Sequence, residues 1–272
     1  MHDLLQNLLY FFGHGFCHQL PERTLSAGGY YYPACARDTG IYLGIVFATC
    51  IVILIYQWQP ALVLQRNSGL NTGAKAFFVT SATSSTPGFT ANGLSGRFPN
   101  ALPSKSVVIL AVLCALPMAF DGVTSYLHLR ETNNIIRFFT GYGAGMAVGI
   151  FASSAVMDIL QKEHNQKRVL AGMREVIIFL AANVFFSTLF FFVHPYLGIA
   201  GALFAVLAFL LIVIFVNALL LWMSKKLAGR GLLVFALATV MAFTEIAVAG
   251  WLRDLLFSML PYSDDAIRHL FG

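Results

Sequence analysis

Apolar residues along this chain do not alternate with polar ones. They gather into six long blocks: Ile41–Trp58, Ser106–Phe120, Ile136–Leu160, Val176–Val193, Leu197–Met223 and Leu232–Trp251. A helix crossing a bilayer takes about 20 apolar residues, so the blocks predict six transmembrane helices, the second of them short. The fourth and fifth are parted only by His194-Pro195-Tyr196, which predicts a tight turn between two crossings. The N-terminal stretch MHDLLQNLLYFFGHGF is too short to cross and predicts an interfacial or re-entrant helix. It has neither the basic start nor the small-residue cleavage site of a signal peptide. The expected fold class is therefore all-α, a polytopic membrane helical bundle. Residues 1–160 would form one half, with three spans and a long 59–105 loop. Residues 161–272 would form the other, with three spans and an amphipathic tail.

Composition agrees with that pattern. Of the 272 residues 58% are apolar and 11% charged, where a soluble domain carries about a quarter charged residues. The net charge of +5 belongs to membrane anchoring, and no nucleic-acid partner is expected. Basic residues divide eleven to six between the two sides of a six-span chain, the larger share falling on the loops after the first, third and fifth spans. The positive-inside rule then puts those loops in the cytoplasm, with both termini outside a bacterial cytoplasmic membrane. Whatever the orientation, the N-terminal segment, the loop after the second span and the C-terminal tail share one face.

Reactive side chains collect on that face. Cys17-His18-Gln19 is followed by Cys35-Ala36-Arg37-Asp38. Pro33 suits a first helical turn. A helix beginning there sets Cys35, Asp38, Thr39 and Tyr42 on one face and puts Cys35 in a helix N-terminal field, which favours thiolate. Cys17, His18, Cys35 and Asp38 can form a zinc set. A Cys17–Cys35 disulfide and plain packed thiols remain open beside it. Cys50 and Cys114, inside spans, are small apolar fillers.

Asp121-Gly122 predicts a turn ending the second span and puts a carboxylate at the same surface. Thr132 or Asn133 is a natural N-cap for the third span. That helix N-terminus, flanked by Arg130 and Arg137, suits an anionic group. Asn133, Arg137, Gly141, Gly145 and Gly149 repeat every four residues, so they form one stripe that faces protein. Arg137 then looks inward and needs a carboxylate partner, Asp121 or Asp38. Glu245, in mid-span, is either functional or hydrogen-bonded to Asn183 or Asn217. His194 reads as structural, and His128, His164 and His269 as surface residues. The Ser/Thr/Gly/Pro-rich segment Gly73–Lys105 carries no metal or phosphate motif.

These blocks resemble the predicted integral membrane family of the domain of unknown function 2085. The matching residues are Cys17-His18-Gln19, Pro21-Glu22-Arg23-Thr24, Cys35, Thr39-Gly40-Ile41-Tyr42, Leu116-Pro117, Asp121-Gly122, Arg130-Glu131-Thr132-Asn133, Arg137 and Thr140-Gly141. The resemblance runs from about Phe16 to Gly149. Asp38 stands where the family pattern has the second cysteine of Cys-x-x-Cys. The resemblance thus implies a cage of two cysteines, a histidine and an aspartate, with an open position for water or substrate, and no dithiol pair within that motif.

The leading expectation is a membrane enzyme with a metal-assisted site at one bilayer surface. It would act by hydrolysis or group transfer on a lipid or isoprenoid phosphate. Cys17, His18, Cys35 and Asp38 would hold a divalent metal such as zinc. Asp121 and Asp38 would be catalytic, and Arg37, Arg130, Thr132, Asn133 and Arg137 would bind the anionic headgroup. The alternatives are a transporter or channel for a small ion or anionic solute, with Glu245, Asn183 and Asn217 along its path, and an assembly subunit pinned by a Cys17–Cys35 disulfide.

Overall fold

A computed structural model describes residues 2–17, 19–69, 102–160, 168–222 and 231–259. The elements, in chain order, are α1 (His2–His14), a 3-10 turn (Pro21–Arg23), β1 (Thr24–Ala27), β2 (Tyr30–Cys35), α2 (Ala36–Gly69), α3 (Lys105–Tyr126), α4 (Asn134–Leu160), α5 (Met173–Leu197), α6 (Ile199–Trp222) and α7 (Gly231–Met259). Six of these helices are long and apolar enough to cross a membrane: Ala36–Gln57, Lys105–Tyr126, Asn134–Met157, Met173–Leu197, Ile199–Trp222 and Gly231–Leu256. Each contains or closely overlaps an expected block. The expected 59–105 loop and the C-terminal tail fall largely, and His18, His164 and His269 wholly, outside the described residues, the first residues of the tail continuing α7 to Met259. Within that loop, the first residues continue α2 as far as Gly69.

Three boundaries differ from expectation. His194 and Pro195 lie inside α5, and the turn to α6 falls at Gly198, whose φ of 53° suits a residue without a Cβ. Asp121-Gly122 does not end a helix either, since α3 continues to Tyr126. A bilayer rewards an unbroken ladder of backbone hydrogen bonds, which outweighs the turn preference of a dipeptide. Pro33, third, stands in β2 rather than in a first helical turn.

The hairpin is an addition that the all-α pattern did not include. Ala27 pairs with Tyr30 across Gly28 and Gly29, whose φ values of 59° and 84° match a type I′ turn. Its antiparallel register sets Thr24 against Cys35, immediately before α2.

Helix α2 is the centre of the bundle, packing on α4 along its length and also on α5, α6 and β2. The α2–α4 seam is backbone against backbone. A Cβ at Gly141 would strike the Arg37 carbonyl, one at Gly145 the Ile41 carbonyl, and one at Gly40 the Phe138 carbonyl. The glycine stripe thus faces protein, as its spacing requires. On the outer side, α3 packs on α4 and α7 on α6.

At the far end of α2 a polar knot fixes the entry to α5. The Tyr56 hydroxyl donates to Glu175 Oε2 at 2.8 Å and accepts the Leu170 N–H at 2.7 Å, with Leu170 in the left-handed region at φ 55°. Tyr56→Phe strands a buried N–H and is expected to cost about 1–3 kcal/mol in thermal unfolding. A loss below about 0.5 kcal/mol would mean that water replaces the hydroxyl.

Candidate functional site

The segment between α1 and the 3-10 turn is held from three directions. Gln19, at φ 52°, donates from Nε2 to Pro33 O at 2.7 Å and to Tyr10 O at 3.1 Å, clamping the hairpin to α1. The Cys17 N–H donates to Gly13 O at 2.9 Å. From α7, Arg253 donates to the carbonyls of His14 and Cys17, the latter at 2.9 Å, and His14 Nε2 lies 2.6 Å from Asp254 Oδ1. The N-terminal segment, the start of α2 and the end of α7 therefore share one end of the bundle, as the span count requires.

This bracing brings the sulfurs together. Cys17 Sγ accepts the Cys35 N–H at 3.2 Å, and Cys35 Sγ donates to Asp38 Oδ2 at 3.3 Å. The donor atoms of Cys17, Cys35 and Asp38 all lie within 4.8 Å of one another. All four cysteines are unbridged. The expected thiolate at Cys35 is not what its surroundings favour. A hydrogen bond to Cys17, burial and the Asp38 charge push the Cys35 thiol well up. The same hydrogen bond from Cys35 draws Cys17 down, against burial and Asp38, so Cys17 is the readier thiolate. A tetrahedral zinc, with Zn–S near 2.3 Å, spaces its donors about 3.3–3.8 Å apart, which small movements of these three would reach. Two sulfurs and a carboxylate are donors that could hold a divalent metal ion. His18, the expected fourth donor, is outside the described residues.

The carboxylate–arginine pairing is also redistributed. Asp121, 1% exposed, pairs through Oδ2 with Arg37 and through Oδ1 with Arg130 at 2.8 Å. Arg137 pairs with neither Asp121 nor Asp38. Its Nε donates to Thr132 Oγ1 at 2.8 Å, while Asn133 Oδ1 caps α4 by accepting the Ile136 N–H at 2.9 Å. Thr132 and Asn133 thus shape the helix start and the Arg137 side chain. Arg130, expected to bind an anion, instead bonds Asp121 and lies with its guanidinium 5.9 Å from the Phe120 ring centre.

A pocket of about 210 Å³ opens among these groups, with Cys17, Cys35 and Asp38 on its walls beside Arg23, Arg37 and Arg137. Its volume falls below the roughly 300–1,000 Å³ of sites for drug-sized ligands, so it suits a small polar group. Asp121 is not part of this lining; it fixes Arg37, which is. Arg23, Gln19 and Arg253 escaped the sequence reading as site residues. Arg23 and Gln19 do stand inside the Cys-His-Gln and Pro-Glu-Arg blocks, whereas nothing local marks Arg253.

In the membrane interior, Asn217 Nδ2 donates to Glu245 Oε2 at 3.0 Å. Asn183 instead bonds the Tyr142 hydroxyl and the Phe179 carbonyl.

Sequence comparison bears on the same block. The family described as "Predicted membrane protein (DUF2085)" matches residues 17–70 and 63–151. An uncharacterized protein of Methanothermobacter thermautotrophicus is 31% identical over 134 residues, which make up 49% of this chain and 81% of that protein. An uncharacterized protein of Methanocaldococcus jannaschii is 25% identical over 147 residues, 54% of this chain and 67% of the relative. No solved structure matches the chain.

Proposed function

From the premise that this chain belongs to the DUF2085 family of predicted membrane proteins, we propose that it is an integral membrane enzyme acting on a lipid or isoprenoid phosphate by metal-assisted hydrolysis or group transfer. One observation carries this proposal: soft donors and guanidinium groups, brought from distant parts of the chain, meet at a small pocket at one end of the bundle. Cys17, Cys35 and Asp38 would hold the metal, with His18 as candidate fourth donor. When bound, such a metal supplies Lewis-acid polarisation and an activated water. Arg23, Arg37 and Arg137 bind and orient the phosphate oxygens. Asp38 is a ligand or the acceptor of the attacking water's proton. Asp121 acts as a positioning residue through Arg37, and no longer as the base. The charge bias of the loops supports a non-cytoplasmic position for this pocket.

Transport has less to support it, since Glu245, Asn183 and Asn217 are divided between separate hydrogen-bonded groups. Asn183 is tied to α4, while Asn217 and Glu245 bond each other.

Elemental analysis of the purified full chain tests the proposal. About one divalent metal per chain is expected, falling to a small fraction in Cys17→Ser and Cys35→Ser. Metal-free protein whose Cys17 and Cys35 emerge bridged in non-reducing mass spectrometry would overturn it in favour of the assembly subunit.

A further inference from the structure

Among the charges around the pocket, Arg137 stands out. It is 8% exposed, yet it lines the cavity. One bond, from Nε to Thr132, satisfies part of its guanidinium, and its terminal nitrogens meet no acceptor among the described residues. Its charged surroundings include Arg23 and Arg37 as well as Asp121 and Cys35. Arg37 is in a similar position: one of its nitrogens is held by Asp121, while its Nε is buried and lacks a partner. Arg37 and Arg137 thus border the pocket with donor nitrogens that no described residue accepts from, beside one lining carboxylate, Asp38. A buried cation near a bilayer requires an anion, and the protein has spent Asp121 on Arg37 and Arg130.

We infer that the pocket is a subsite for a terminal, doubly ionised phosphate, a phosphate monoester or the free ion, and that it selects this group over phosphodiester headgroups. The inference rests on the proposed function for its substrate class and adds the selectivity, which it assigns to the arginines and not to the metal. A phosphate monoester carries about −1.5 to −2 charge at neutral pH and three acceptor oxygens. A diester carries a single charge and offers two unsubstituted oxygens. Forked guanidinium donors reward the additional charge and the additional acceptor.

Full-length protein in phosphatidylcholine nanodiscs, doped with either phosphatidic acid or phosphatidylglycerol, provides the test, with lipid retention read by native mass spectrometry. The expected preference for phosphatidic acid is about tenfold, the scale of one charge-assisted hydrogen bond. Arg137→Gln should remove most of it, and Arg137→Lys should restore only part, having the charge without the fork. Arg23→Gln, outside the spans, carries the same test should Arg137→Gln misfold. Displacement of phosphatidic acid by excess inorganic phosphate identifies the free ion as a sufficient ligand, and resistance identifies the lipid; both support the subsite. Equal retention of the two lipids overturns it, as does a preference that survives both Arg137→Gln and Arg23→Gln. A preference abolished by chelator alone also overturns it while leaving a metal site standing. Full chain that contains no metal as purified, and still shows the preference, sinks the enzyme proposal and leaves the subsite intact; persistence after chelation alone is the expected result.

Discussion

Asp121→Asn is expected to lower unfolding stability by about 3 kcal/mol, the lower end for a buried ion pair that loses one partner. Asp121 is 1% exposed and sits between Arg37 at the start of α2 and Arg130 after α3, so one carboxylate neutralises two cations and joins two elements. The amide keeps the shape and removes the charge. Arg37, 21% exposed, then loses the carboxylate bonded to it. Arg130, 43% exposed, rehydrates, which keeps the loss at the lower end. Thermal unfolding in detergent gives the comparison, with Arg130→Gln as the control. That variant should cost under about 1 kcal/mol, as exposed ion pairs do. If Asp121→Asn matched this control, the carboxylate would not be what holds Arg37.

Gly145→Ala should cost as much or more, about 3 kcal/mol, because the obstacle is main chain. An added Cβ meets the Ile41 carbonyl, which has no rotamer to change, so α2 and α4 must separate along their length. Gly122→Ala in α3 is the matched control. Nothing lies within 4 Å of its Cβ position, so alanine should be neutral or stabilising by up to about 1 kcal/mol through helix propensity. Equal melting temperatures for the two variants would contradict the close seam. Gly141→Ala presses on the Arg37 backbone itself, so it should weaken phosphate-monoester retention as well as stability.

The spans were legible because a membrane helix is written locally, in about 20 apolar residues. The inner face of α4 was legible for a similar reason, since Gly141, Gly145 and Gly149 recur every four residues. The matching Gly40 and Gly44 of α2 were equally visible and would have named the partner helix. The hairpin was legible too: Gly28-Gly29 between Thr-Leu-Ser-Ala and Tyr-Tyr-Tyr is a I′ turn signal. Pro33 competes with it, because a proline there also suits a first helical turn. The pairing of Asp121 was not legible. Whether it meets Arg37 or Arg137 depends on the rotation of α3 against α4, which no local pattern encodes. The state of Cys35 was hidden for the same reason, because the sulfur that opposes its ionisation arrives from Cys17, eighteen residues earlier in the chain.

The family match ends at residue 151, before α5, yet Arg253 of α7 grips the carbonyls of His14 and Cys17, and Tyr32 lies against Gly201 of α6. The arginines and sulfurs of the pocket therefore lie within the matched block, while part of their scaffolding lies beyond it. A transplant of residues 17–151 would carry every arginine and sulfur of the pocket, but it would leave behind the cation that steadies the first of those sulfurs and the groove that seats the hairpin.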